Sequence, residues 1–174
     1  LARSIKKDFE VECIILSTDQ GLDETSKQQY SELKTVILPC LNDRFYIPYF
    51  SWDKLKELVE KIDVIHLMSH WTIINAIVYL LARQLDKPYT FCPAGSLHIF
   101  GRSAFLKKIY NLFIGKSLIK NASQCIAITN LEKKEFLGFN VQEELISVIP
   151  NGIDGNEFCP NPEASNAFKN RFGL

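Results

Sequence analysis

Four short stretches hold the side chains that could meet a ligand. The first is Ser69-His70-Trp71-Thr72, set between two apolar runs. A hydroxyl and an imidazole beside an indole suit a hydroxyl-rich ligand such as a sugar, which needs hydrogen-bond partners and an aromatic face to stack on. Equally, Thr72 reads as a helix cap and Trp71 as a filler of a packing gap. The second stretch is Pro93-Ala94-Gly95-Ser96-Leu97-His98. Its proline and glycine expose backbone N–H groups beside a small hydroxyl, letting a ligand approach closely, or they form a plain turn. The third is Thr129 with Glu132, the spacing of a helix capping box. The fourth closes the β-branched run Ile146–Ile149 with Pro150-Asn151-Gly152, where Gly152 is expected to supply the positive φ of a sharp exit.

Other chemistries find little support in these residue types. No GxGxxG occurs, which sets aside a dinucleotide-dependent dehydrogenase, and no GxSxG elbow marks a nucleophilic hydrolase. Ser96 and His98 are too close in sequence to count as parts of a triad. Cys13, Cys40, Cys92, Cys125 and Cys159 are odd in number, scattered and without a CxxC pair, against both a disulfide framework and a zinc site. Most of them read as small buried hydrophobes in a reducing cytoplasm. No residue presents itself as a general base.

The elements that must position these stretches alternate between apolar strands and helical runs. Strands are expected at Val11–Ser17, Lys34–Leu38, Asp63–Met68, Tyr89–Cys92, Gln124–Ile128 and Leu145–Ile149. Helices are expected near Ser51–Lys61, Thr72–Leu85, Ser103–Lys120 and Asn130–Phe139, with Ser51 as the first cap. The fold class is α/β, a Rossmann-like parallel sheet with helices on both faces. In such sheets ligands bind beyond the carboxyl ends of the strands, where all four stretches fall. His66 lies inside its strand instead and reads as a satisfied core histidine. The polar run Asp19–Ser31 is the expected flexible loop.

With 174 residues, 47% of them hydrophobic, the chain can bury one substantial core. Twenty basic and twenty acidic residues cancel, so nothing global marks a nucleic-acid binder and no such partner is expected. No signal peptide is visible, and no apolar stretch approaches the roughly 20 residues of a membrane span. Leu1, Ile5 and Phe9 repeat as the tail of an amphipathic helix, and the chain opens without an initiator, as a piece of a longer protein would. Pro162 to Arg171, followed by Gly173, reads as a short helix with a proline start and a glycine stop.

Residues 102–120 concentrate charge locally, with Arg102, Lys107, Lys108, Lys116 and Lys120 and no acid. Their apolar residues cover more than a single stripe. One reading is a long buried helix with solvated lysines. The other is a helix that also meets an anionic membrane surface.

Together, the strand order, the Gly95 loop, Thr129-Asn130-Leu131-Glu132 and the closing Pro150-Asn151-Gly152-Ile153-Asp154 resemble the first, acceptor-side domain of family 4 glycosyltransferases, enzymes of the two-domain GT-B fold. The resemblance implies residues 1–158 as that domain, lacking its first strand and glycine-rich loop, and residues 159–174 as a linker toward a second domain. It implies retaining transfer from a nucleotide-sugar donor to a saccharide or lipid-linked acceptor, in surface polysaccharide biosynthesis, without an essential metal or other cofactor. The expected place is the cytoplasm, peripheral on the inner face of the membrane. Ser69, His70, Trp71, Gly95, Ser96, His98 and Thr129 would line the acceptor side, and Asn151 and Gly152 the donor side. The family often has a histidine in the strand that carries His66. It commonly has a histidine or arginine directly before the loop glycine, where this chain has Ala94, and that departure moves any catalytic role to Ser96, His98 or backbone amides. The residues alone also admit a non-catalytic Rossmann-like binding or assembly module, which the missing glycine loop and Ala94 favour, and a two-domain nucleotide-sugar epimerase. This stretch alone is expected to be inactive, because the reaction needs closure of two domains around both substrates.

Overall fold

The computed structural model describes residues 2–23, 31–42, 46–99, 103–153, 155 and 161–173. Its centre is a four-stranded parallel sheet in the order β5 (Ile65–Met68), β6 (Tyr89–Cys92), β7 (Gln124–Ala127), β8 (Ile146–Val148). Helices connect the strands: α3 (Ile73–Gln84), then α4 (Ala104–Tyr110) running through a π turn (Asn111–Gly115) into α5 (Lys116–Lys120), then α6 (Asn130–Gly138) and a short 3-10 turn. The register Leu67–Phe91–Cys125–Ile146 puts these side chains on one face. There they pack with Val78, Tyr79 and Ala82 of α3, Leu118 and Ile119 of α5 and Phe136 of α6. Each fully buried Leu, Ile or Phe in this layer contributes about 1.5–3 kcal/mol relative to exposure. The core therefore sits directly beneath the strand ends that carry the polar stretches.

A second parallel pair, β1 (Ile14–Thr18) with β2 (Lys34–Leu38), forms its own sheet and is not hydrogen-bonded to β5 among the described residues. Leu16 of β1 packs on both apolar clusters, including the one that Leu55 and Val59 of α2 (Trp52–Glu60) build against Leu81. The sequence reading of six strands thus holds in type, but the strands divide between sheets. β1 also begins later than Val11, which is 46% exposed beyond a left-handed Glu10. A short antiparallel pair, β3 (Cys40–Asn42) with β4 (Ile47–Pro48), was not expected. Two or three residues flanked by prolines give no period to read.

Several local expectations are corrected. The helix expected over Ser103–Lys120 is three segments, because the chain inserts a π turn. Ser51 and Thr72 occupy N-cap positions, yet neither side chain accepts a capping hydrogen bond. Gly152 does not adopt positive φ; residues 151–153 run as open, exposed chain, which imposes no such turn. His66 is satisfied, with Nδ1 2.7 Å from Thr90 Oγ1, but it lies exposed on the opposite sheet face rather than in the core. Of the cysteines, Cys92 and Cys125 are buried, whereas Cys13 and Cys40 are half-buried. The opening helix α1 (Ala2–Phe9) buries no residue, and Phe9 is 72% exposed, so its apolar stripe has no described partner. The closing helix α7 (Pro162–Phe172) follows its reading: Asn161 caps it and Gly173 ends it at φ 67°. Leu1, Arg102, Asp154, Cys159, most of the expected Asp19–Ser31 loop and the 158/159 boundary lie outside the described residues.

Candidate functional site

The carboxyl ends of β5 and β6 carry unusual backbone. Ser69 has φ 70°, Ala94 has φ 50° and Gly95 has φ 83°. Left-handed non-glycine residues are costly and cluster where a fold fixes a functional loop. Here the cost is met by specific ties between the two loops. The backbone N–H of His70 donates to Ser96 Oγ at 3.0 Å, and that hydroxyl donates in turn to the Pro93 carbonyl at 2.5 Å. Trp71 Nε1 donates to the Ser96 carbonyl, and Asn75 at the start of α3 donates to the carbonyls of Met68 and Ser69. Ser96 thus bolts one strand end to its neighbour.

Glu132 extends the tie to β7. It is 3% exposed, and its two carboxylate oxygens accept the backbone N–H groups of Gly95 at 2.5 Å and Ile128 at 2.7 Å. Thr129 Oγ1 accepts the N–H of Glu132 at 3.2 Å, so half of the capping box forms. The glutamate does not return to its own cap; it reaches across to the Gly95 loop. Three adjacent strand ends are therefore held as one wall.

Beneath this wall lies His70, which is fully buried. Its ring packs edge-on against Trp71, Phe91 and Tyr110, with centroids 4.4, 5.6 and 5.4 Å away. Nε2 lies 2.8 Å from Asn111 Oδ1 in the π turn. Burial lowers the imidazole pKa to about 4, outweighing the opposing effect of the Asn111 bond, so the ring is neutral at physiological pH. Lys107 Nζ lies 5.2 Å above the Trp71 ring, a cation over an aromatic face.

The sequence-derived candidates therefore separate by place. Ser69, Trp71 and Ser96 are half-buried and come together at the ends of β5 and β6; Gly95 is exposed at the same rim. Thr129 is exposed at the end of β7, with its hydroxyl used as the α6 cap. His98 is exposed beside α6, Nδ1 3.9 Å from Glu135 Oε1. His70 points inward rather than to the surface. Asn151 and Gly152 are exposed beyond β8. Glu132 and Asn111 went unnoticed as site residues: Glu132 carried a capping signal only, and Asn111 carried none. Among the described residues no three His, Cys, Asp or Glu side chains gather as a metal site would require.

Comparison with known proteins bears on the family and the fold. Residues 1–157 match the family described as Glycosyltransferase Family 4. No curated protein matches the sequence significantly. Among solved structures, HepE of Anabaena in complex with UDP superposes with a TM-score of 0.64 at 17% identity, over 98% of this chain and 44% of that one. The HepE complex with UDP-glucose gives 0.65 at 16% identity, again over 98% and 44%. The chain thus spans less than half the length of these structures, and the likeness is one of fold.

Proposed function

The chain belongs to glycosyltransferase family 4, and from that premise we propose that the intact protein transfers a sugar, with retention, from a nucleotide-sugar donor to a hydroxyl of a saccharide or lipid-linked acceptor. The observation that carries this reading is the wall at the ends of β5, β6 and β7, where Ser96 and Glu132 hold strained loops in fixed register. A wall of this kind fits a hydroxyl-rich acceptor, because it brings together serine hydroxyls, backbone groups and an indole, with the Lys107 ammonium over the indole face. Ser69, Trp71, Gly95, Ser96, His98 and Thr129 form the acceptor side. His70 lies buried beneath them, its ring against Trp71. Asn151 and Gly152 lie toward the donor.

Surface polysaccharide assembly at the cytoplasmic face of a membrane is the setting this reading favours. Phe105, Leu112 and Phe113 are 73%, 73% and 79% exposed along α4 and the π turn, beside exposed Lys108 and Lys116. An apolar group fringed by cations suits a monolayer of anionic lipid. Among the described residues no helix is long and apolar enough to cross a membrane.

The test is transfer by the intact protein across a panel of nucleotide sugars, with Trp71→Phe and Ser96→Ala compared at matched folded yield. Product formation that falls in both variants supports the reading. Absence of transfer and of donor binding would instead favour a non-catalytic binding or assembly module, the reading to which Ala94 lends weight.

A further inference from the structure

The π turn is the one irregularity in an otherwise regular helical run, and it sits against His70. The N–H of Lys116 bonds to the carbonyl of Asn111, five residues back, which widens the turn by one residue. The widened turn aims Asn111, 5% exposed, at the buried ring. Gly115 makes the approach possible: a Cβ there would stand 2.3 Å from Asn111 Oδ1 and 3.0 Å from His70 Nε2. Such turns recur at functional sites, and this one has a chemical result. Oδ1 can only accept, so Nε2 must carry the ring proton, and Nδ1 is left as a lone-pair acceptor.

Among the described residues Nδ1 is buried with no hydrogen-bond partner, and so are Thr72 Oγ1 and Tyr110 OH. Thr72 lies two residues beyond His70, and the Tyr110 ring is edge-on to it. Buried polar groups are nearly always paired, so an unpaired Nδ1 on a ring that is fully buried marks a place that receives a polar group. We infer that Asn111 is a positioning residue: presented by the π turn, it fixes His70 as the Nε2–H tautomer and holds Nδ1 as the acceptor for a hydroxyl donor, a sugar hydroxyl or a water. The sugar source rests on the glycosyltransferase reading; the tautomer does not.

The experiment is nitrogen NMR of the intact protein labelled with 15N-histidine, with the His70 signals assigned by their loss in His70→Gln. The expected result is a single neutral tautomer, Nε2 protonated and Nδ1 bare, that becomes mixed or inverted in Asn111→Ala and returns in Asn111→Asp. Should Asn111→Ala fail to fold, Asn111→Ser, too short to reach, takes its place. A hydrogen-bond shift of Nδ1 in the ligand-free protein that persists in Thr72→Val and in Tyr110→Phe identifies water, one lost in either variant identifies a protein hydroxyl and overturns the inference, and one that arises only with free glucose or UDP-glucose identifies the sugar. A protonated Nδ1 in the wild type, an unchanged tautomer in a folded Asn111 variant, or an Nδ1 that shows no donor under any of these conditions would overturn the inference. Failure of transfer with the tautomer intact would sink only the enzyme reading.

Discussion

Glu132 is the residue on which the wall depends most directly. Both of its oxygens accept backbone N–H groups in a nearly dry setting, and hydrogen bonds to a charged group are worth about 1.5–3 kcal/mol each. Glu132→Gln keeps the shape but turns one acceptor into an NH2 group facing a donor. The expected loss is about 2–3 kcal/mol in urea unfolding, with faster amide exchange at Gly95; an unchanged Gly95 amide would show that the loop holds itself. His70 gives a pH prediction. Its folded pKa, about 4, lies below the unfolded 6.5, so the unfolded chain binds the proton more readily. Its contribution to stability is therefore full above pH 6.5 and is lost as pH falls toward 4, by an amount on the order of 3 kcal/mol. Urea midpoints of wild type and His70→Gln at pH 7 and pH 5 check this: the wild type should lose more. At this scale the sequence was legible where spacing is local, as in Thr129 with Glu132. It was silent where the partner is distant, because nothing in a capping pattern says that the carboxylate will reach Gly95, 37 residues earlier.

Among the elements, the helical run from Ala104 to Lys120 has two distinct sides. Leu118 and Ile119 are fully buried in the core, while Phe105, Leu112 and Phe113 are turned out. Membrane docking through this run predicts binding to vesicles containing phosphatidylserine that weakens tenfold or more in Phe105→Ser/Phe113→Ser, since each phenyl transferred from water is worth about 1.5–3 kcal/mol. Lys108→Glu/Lys116→Glu should weaken binding to the charged vesicles and leave the weak binding to neutral ones unchanged. Equal binding by all proteins in a cosedimentation assay would remove this face from the reading. The sequence showed the helix and its excess of apolar positions. It did not show the π turn, because one inserted residue merely broadens the apolar arc, and a broad arc reads equally well as a buried helix.

As a whole molecule, the described residues form a four-stranded unit and two separate strand pairs, of which β1 with β2 leans on the unit through Leu16. Stability should follow that division. Amide exchange is expected to be slowest in β6 and β7, which have neighbours on both sides, and faster by at least tenfold in β1 and β2. Uniform protection would mean that the two sheets open together. The parallel α/β class was readable from alternation of strand and helix; the division was not, because pairing between strands is a long-range property that no local pattern encodes. The tied wall has a last consequence, for how this domain can change over evolutionary time. Ser96, Trp71 and Glu132 cannot be exchanged without releasing a neighbour, so new specificities must arise at positions whose side chains hold nothing. Ala94 is such a position: its methyl group is exposed at the rim, and its left-handed backbone is one that asparagine, aspartate and histidine accept more readily than other residues. A single substitution to histidine there would add an imidazole at the mouth of the site and leave every tie in place, which makes Ala94 an open socket for inherited variation on an otherwise rigid frame.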